Sequence, residues 1–142
     1  MSTEASSPDS HRPLPLLEKQ SSYFWTGGAS GQLLIARCDR CGLYQHPPLQ
    51  RCTGCGGDSF TPSPVSGRGR VATFTVNHEA WLPGLAVPFV FAAVELVEQP
   101  ELYVFSNIVS PVDQVRIGMP VSVCFERHGD LHIPLFRPDE RT

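Results

Sequence analysis

Cys38-Asp39-Arg40-Cys41-Gly42 and Cys52-Thr53-Gly54-Cys55-Gly56, with ten residues between Cys41 and Cys52, are the stretch on which the reading of this chain turns. Two residues between cysteines let one tight turn aim both sulfurs at a single ion. A glycine after the second cysteine allows positive φ and frees amide N–H groups for the sulfurs. Two such knuckles in sequence are the spacing of a tetrahedral four-thiolate zinc ribbon, with Cys38, Cys41, Cys52 and Cys55 as ligands. A rubredoxin-like iron centre, an iron–sulfur cluster and incidental thiols are the competing assignments; Zn²⁺ is the expected ion. With four protein ligands no coordination position is left for water or substrate, so the expected ion is structural. It would hold a ribbon over 32–66, ordering about thirty residues, since 38–64 lack the apolar content for a core of their own.

Working outward, the flanking charge fits this reading. Residues 1–36 carry −1, 37–70 carry +3 and 71–142 carry −5, for a net −3 over 142 residues. Zn²⁺ with four thiolates adds −2, which Arg37, Arg40 and Arg51 can offset. A counter-ion shell therefore explains the basic segment better than a nucleic-acid patch does. An acidic larger half also opposes grip on a phosphate backbone.

Downstream of the ribbon the pattern becomes repeated β-type runs between turn residues: 70–77 (RVATFTVN), 88–97 (PFVFAAVELV), 101–109 (ELYVFSNIV), 120–127 (PVSVCFER) and 132–136 (HIPLF). Five strands in about 70 residues predict a mainly β chain ending in a five-stranded Greek-key barrel of the OB type over 67–138, with a short β-sandwich as the alternative. In the fourth run Val121, Val123 and Phe125 alternate with Ser122, Cys124 and Glu126, which predicts one buried and one open face. Upstream, residues 1–12 read as a disordered tail. Residues 13–31 read as an N-terminal amphipathic helix over about 13–26, ended by Gly27 and Gly28. Residues 139–142 read as a second tail. With 14 Pro and 12 Gly, long helices are excluded. No apolar run approaches membrane-spanning length and no export signal is seen, so a cytoplasmic, reducing setting is expected and membrane association is not.

Catalytic chemistry is hard to assemble from these residues. Cys124 is the one thiol outside the knuckles and has no base or electropositive neighbour in its motif, so it reads as a packed or surface thiol. His46, His78, His128 and His132 are scattered without a motif. Ser66-Gly67-Arg68-Gly69-Arg70 lacks phosphate-loop spacing and reads as the turn from ribbon to barrel, with Arg68 and Arg70 as low-ranking ligand-binding candidates. The loop Ala80-Trp81-Leu82-Pro83-Gly84-Leu85-Ala86-Val87-Pro88 is too apolar for an open connection. Trp81, Leu82 and Leu85, like Phe24 and Trp25 on the leading helix, are candidate contacts for a partner chain or an acyl ligand, against the alternative that the loop simply caps the barrel.

Phe24-Trp25, Leu33-Leu34, Arg37-Cys38-x-x-Cys41-Gly42, Pro47-Pro48, Cys52-x-x-Cys55-Gly56 and Ser66-Gly67-Arg68-Gly69, with the later Val94-Glu95-Leu96, Ile117-Gly118-Met119-Pro120-Val121 and Pro134-Leu135-Phe136-Arg137-Pro138, resemble the OB-fold family with a rubredoxin-like zinc ribbon associated with acyl-CoA enzymes. The resemblance covers about residues 14–138. It implies a non-catalytic accessory subunit that binds a thiolase-superfamily enzyme, including lipid-transfer-protein-like aldolases of steroid side-chain degradation, with the active site on the partner. Acyl-CoA is a candidate ligand. Some relatives are fused to hydratase domains, which this sequence does not carry, so the expected partner is a separate polypeptide. A single-strand nucleic-acid module is the alternative by fold analogy, and an enzyme using Cys124 on an acyl-CoA is a third reading.

Overall fold

The computed structural model describes residues 4–6 and 12–139. The first described strand, β1 (Glu4–Ser6), is followed by a short helix α1 (Ser22–Thr26) and a 3-10 turn at Gly27–Ser30. Three strands make the ribbon: β2 (Leu33–Cys38), β3 (Tyr44–Gln45) and β4 (Phe60–Val65), in the order β3-β2-β4. Five more make the barrel: β5 (Arg68–Asn77), β6 (Phe89–Leu96), β7 (Tyr103–Ile108), β8 (Pro120–His128) and β9 (Leu131–Pro138).

The barrel strands run β8-β5-β6-β7-β9, and β9 returns to β8, which closes the sheet. All neighbours are antiparallel except β7 and β9, which meet in parallel at Ile108 and Phe136, where the Val109 N–H donates to the Phe136 carbonyl at 2.7 Å. This is the five-stranded OB order expected from the strand count. Closure is uneven. β5 pairs with β8 only over Arg68–Arg70, then bulges between Val71 and Thr73 and follows β6. The rest of that β8 edge, Phe125 to Arg127, is covered by β1 lying parallel to it.

Inside the barrel, Val71, Val90, Val94, Val104, Val121, Phe125 and Phe136 are almost fully buried, and Leu33 and Ile35 of the ribbon join the same cluster. Alternation explains the placement: inward Val90, Ala92, Val94 and Leu96 leave Phe89, Phe91 and Glu95 on the outer face of β6.

Several sequence expectations shift in the structure. The helix is shorter than 13–26, because Pro13 and Pro15 hold the chain extended and the first turn closes only at Glu18, whose carbonyl takes the N–H groups of Ser21 and Ser22. Its C-terminal end is where the sequence places it: the α-helix stops at Thr26 with Gly27 as its cap, and the chain goes on as the 3-10 turn Gly27–Ser30, which closes at Gly31 in the left-handed region (φ 71°). Gly28 is needed for a different reason: a Cβ there would lie 2.6 Å from Phe125 Cδ1 and 2.5 Å from His132 Cβ, so only glycine lets this turn sit on the barrel. The open face predicted for β8 is covered too. Cys124 is buried with Ile133 and Leu135, and Trp25 packs against them.

At the N-terminus, Glu4–Ser6 of the expected tail is a strand, and Arg12 is bonded to the barrel; residues 1–3 and 7–11 lie outside the described residues. At the C-terminus, Asp139 of the expected tail is buried, its N–H donating to the Pro120 carbonyl at 3.0 Å; residues 140–142 lie outside the described residues. Among the described residues no helix is long and apolar enough to cross a membrane.

Candidate metal centre and aromatic cleft

Each knuckle is a tight turn closed by its own backbone. The Gly42 N–H donates to the Cys38 carbonyl and the Gly56 N–H to the Cys52 carbonyl, both at 2.9 Å. Gly42 (φ 81°) and Gly56 (φ 78°) take the left-handed conformation that lets the chain leave the turn. The carbonyls of these two glycines are then held by arginine: Arg37 Nε donates to Gly42 O at 2.9 Å, and Arg51 Nη1 to Gly56 O at 3.1 Å. Arg37 also lies over the Tyr44 ring, 4.8 Å from its centre. Two of the three arginines expected as counter-ions therefore brace the knuckles as well. Gln45 ties one knuckle to the other, its Oε1 accepting from Thr53 N–H at 2.7 Å.

This bracing brings the four sulfurs within 4.8 Å of one another, with Cys38 and Cys55 at 3.6 Å and Cys41 and Cys52 at 3.5 Å. A tetrahedron of zinc–sulfur bonds requires sulfur separations of about 3.8 Å. The backbone prepares the donors. Gly54 N–H points to Cys52 Sγ at 3.3 Å and Gly57 N–H to Cys55 Sγ at 3.4 Å.

Cys38 is drawn down to about 6, first by the Cys41 N–H, against burial, with the Arg40 N–H and neighbouring thiols adding. Cys52 is lowered by the N–H groups of Cys55 and Gly54, again against burial. At Cys41 the Leu43 N–H acts downward, but the Cys52 thiol, burial and the thiols of Cys55 and Cys38 carry it up to about 11. Four sulfurs so close can all ionise only around a cation. The donor set, its spacing and its N–H bonds fit Zn²⁺ held by Cys38, Cys41, Cys52 and Cys55, where it would pin two turns and supply no reaction.

A second feature lies on the other module. An open, mainly apolar cleft of about 750 Å³ runs between the leading helix, the loop before β6 and the outer faces of β6 and β7. Four of the sequence candidates converge on it: Phe24, Trp25, Trp81 and Leu85. Phe24 is buried, edge-on to Trp25 (centres 4.7 Å apart) and stacked on His46 at 4.5 Å. Burial drives His46 down to about 4, and its Nδ1 has no hydrogen-bond partner among the described residues.

Leu82, Arg68 and Arg70 do not line the cleft. Arg68 Nε lies 3.5 Å from Asp139 Oδ2, and Arg70 Nη1 donates to the Gly118 carbonyl at 3.1 Å, so both have roles in closing the barrel. Phe91 and Phe105 were missed by sequence reasoning. They stack at 6.1 Å on the cleft wall, 46% and 63% exposed, with Trp81 62% exposed at the rim. The parity of Glu95, outward on β6, would have revealed Phe91.

A four-cysteine ribbon joined to a closed OB barrel defines a class of two-module zinc-ribbon/OB-fold proteins. Residues 25–61 match the family described as "ChsH2, rubredoxin-like zinc ribbon domain", and residues 63–126 match "ChsH2, C-terminal OB-fold domain". The solved structure "Ltp2-ChsH2(DUF35) aldolase" is 30% identical, with a TM-score of 0.78, covering 88% of this chain and 98% of that one. The chain belongs to the ChsH2-type DUF35 family.

Among relatives, the 3-oxo-4,17-pregnadiene-20-carboxyl-CoA hydratase alpha subunit of Mycobacterium tuberculosis is 33% identical over 89% of this chain and 40% of its own length. The benzoylsuccinyl-CoA thiolase subunit BbsA of Geobacter metallireducens is 36% identical over 61% of this chain and 57% of its own length. The chain thus spans less than two thirds of either relative.

Proposed function

We infer that this chain is a non-catalytic zinc-ribbon/OB-fold accessory subunit. In this reading it assembles in the cytoplasm with a thiolase-superfamily enzyme acting on an acyl-CoA thioester and supports carbon–carbon bond cleavage or formation. The specific case is a retro-aldol step of steroid side-chain breakdown. The observation that carries it is the likeness to the DUF35 chain of an aldolase across nearly the whole of that chain. Names of relatives agree in class: one is a thiolase subunit and another a subunit acting on a steroid-type CoA ester.

The chemistry of the two sites supports the same division of labour. A fully coordinated structural ion has no open position for catalysis. Large aromatic side chains left wet at Trp81, Phe91 and Phe105 mark a surface for covering by a partner or an acyl ligand. Trp25, Trp81 and Leu85, with Phe24 behind them, are the residues assigned to that contact. A single-strand nucleic-acid reading can cite the Phe91–Phe105 stack as a base platform, but the −5 of residues 71–142 opposes the phosphates such a ligand brings.

The test is affinity purification of the chain from its native cell, with the mass of what accompanies it. Expected is a thiolase-sized companion whose acyl-CoA activity rises when the chain is present and falls with Trp81→Ala. A chain that runs alone at 15.6 kDa and changes no companion's activity overturns the assignment.

A further inference from the structure

The N-terminal chain is fixed to the barrel at two places on the same strand. The backbone of Glu4–Ser6 lies parallel to Phe125, Glu126 and Arg127 on the edge that β5 leaves uncovered. The side chain of Arg12 reaches the same stretch: Nε donates to Glu126 Oε1 at 2.7 Å, and Nη1 donates to Asn107 Oδ1 on β7. Asn107 is itself fixed, donating to the Val90 carbonyl at 3.0 Å, so the guanidinium bridges β8 and the β6–β7 pair. His128 shares the same Glu126 oxygen at 2.8 Å.

Arg12, Pro13 and Pro15 line the aromatic cleft, as do Glu126 and Asn107. Residues 13–17 make no hydrogen bond among the described residues. With no hydrogen bond at these residues, backbone pairing does not hold the stretch, and the fixed φ of Pro13 and Pro15 makes it stiff. The position of the Pro13 and Pro15 wall therefore follows from where Arg12 is held. Glu126, 13% exposed, is a carboxylate that needs its cation: burial pushes it up, but the bonds from Arg12 and His128 prevail and keep it low.

We propose that Arg12 is a latch: its bidentate hold on Glu126 and Asn107 sets the 12–15 segment as a movable wall of the aromatic cleft, and releasing it opens the cleft without unfolding the barrel. On the reading of the cleft as a contact surface, the wall is a conformational control on that surface. This does not depend on the identity of the partner, since the cleft and latch belong to this chain alone.

The full-length chain tests it directly with Arg12→Ala and Glu126→Gln, read by acrylamide quenching of Trp25 and Trp81 and by amide hydrogen exchange. Expected for Arg12→Ala is roughly tenfold faster exchange at Glu4–Ser6 and along Phe125 to Arg127, with increased quenching. Exchange in β6 and β7 and the zinc content should stay as in the unaltered chain. Glu126→Gln keeps the shape and an acceptor but removes the charge, so a smaller shift in the same direction is expected; it also reads the latch if Arg12→Ala folds poorly. Unchanged quenching and exchange in both variants, or Glu4–Ser6 exchanging in the unaltered chain as fast as an unstructured peptide, overturns the proposal.

Discussion

In the barrel, five strands enclose a dry cluster from Val71 to Phe136; in the knuckles, from residue 38 to 58, only Cys38, Gln45 and Cys52 are fully buried, with His46 partly buried at the seam. Both are small β modules in one chain, yet hydrophobic burial can hold only the first. The knuckles substitute a coordinated ion and a mesh of polar bonds: Arg37 and Arg51 on glycine carbonyls, Gln45 on Thr53, and Asp39 accepting from Ser59 and Thr61 at 2.6 Å. The lesson is that a segment too polar to fold alone can present a fixed surface when four donors share one cation. Burial then serves the barrel, whose outer face remains available for aromatic contact.

If the two modules are held by different forces, damage to one should spare the other. The largest effect is expected for Cys52→Ser. Structural zinc contributes about 10–16 kcal/mol in such modules, so elemental analysis should find the zinc equivalent lost, and exchange protection should vanish in the knuckles while β6 and β7 keep theirs. Next comes Phe136→Ala. This ring is fully buried, and its truncation should cost about 3–5 kcal/mol in denaturant unfolding of the barrel. Folded molecules of that variant should still carry one zinc.

A third effect lies at the seam, where His46 of the ribbon stacks on Phe24. Between the ordinary value of 6.5 and its native value of about 4, the unfolded chain binds a proton that native His46 does not. Stability is therefore intact above pH 6.5, falls as the pH drops through this window, and the loss levels off below about 4. The full loss is about 3 kcal/mol. Urea unfolding at several pH values should show this slope, and His46→Phe should be flatter by that amount.

The smallest effect concerns Gln99, whose side chain accepts from Tyr44 N–H at 2.9 Å and donates to Tyr44 O at 3.0 Å, standing in for a strand beside β3. Gln99→Ala should cost about 1–2 kcal/mol and loosen the ribbon against the barrel. Faster exchange confined to Tyr44 and its neighbours would show it.

The parts of this comparison differ in how well the sequence displays them. The cysteine pairs and the five barrel strands are local patterns, since knuckle spacing and alternation need no knowledge of what lies opposite; β5 to β9 fall within a few residues of the runs read from sequence. The cleft is not local. Trp25, Trp81, Phe91 and Phe105 lie on a helix, a loop and two strands, and only the closed topology brings them together. The run 88–97 is apolar except for Glu95, which alone marks its outward side. Apolar spacing from Leu16 to Phe24 suggests a longer helix than Pro13 and Pro15 allow. Arg12 and Gln99 act through partners 114 and 55 residues away, a separation that no window of sequence displays.

The most direct measurement of the division between ion and core is residue-resolved hydrogen exchange on the chain before and after zinc is withdrawn with a strong chelator. Expected is one zinc per chain at the start. After its removal, protection should be lost across the two knuckles and retained in β6, β7, β8 and β9. Knuckles that stay protected with no metal bound, or a barrel that unravels together with them, would contradict it.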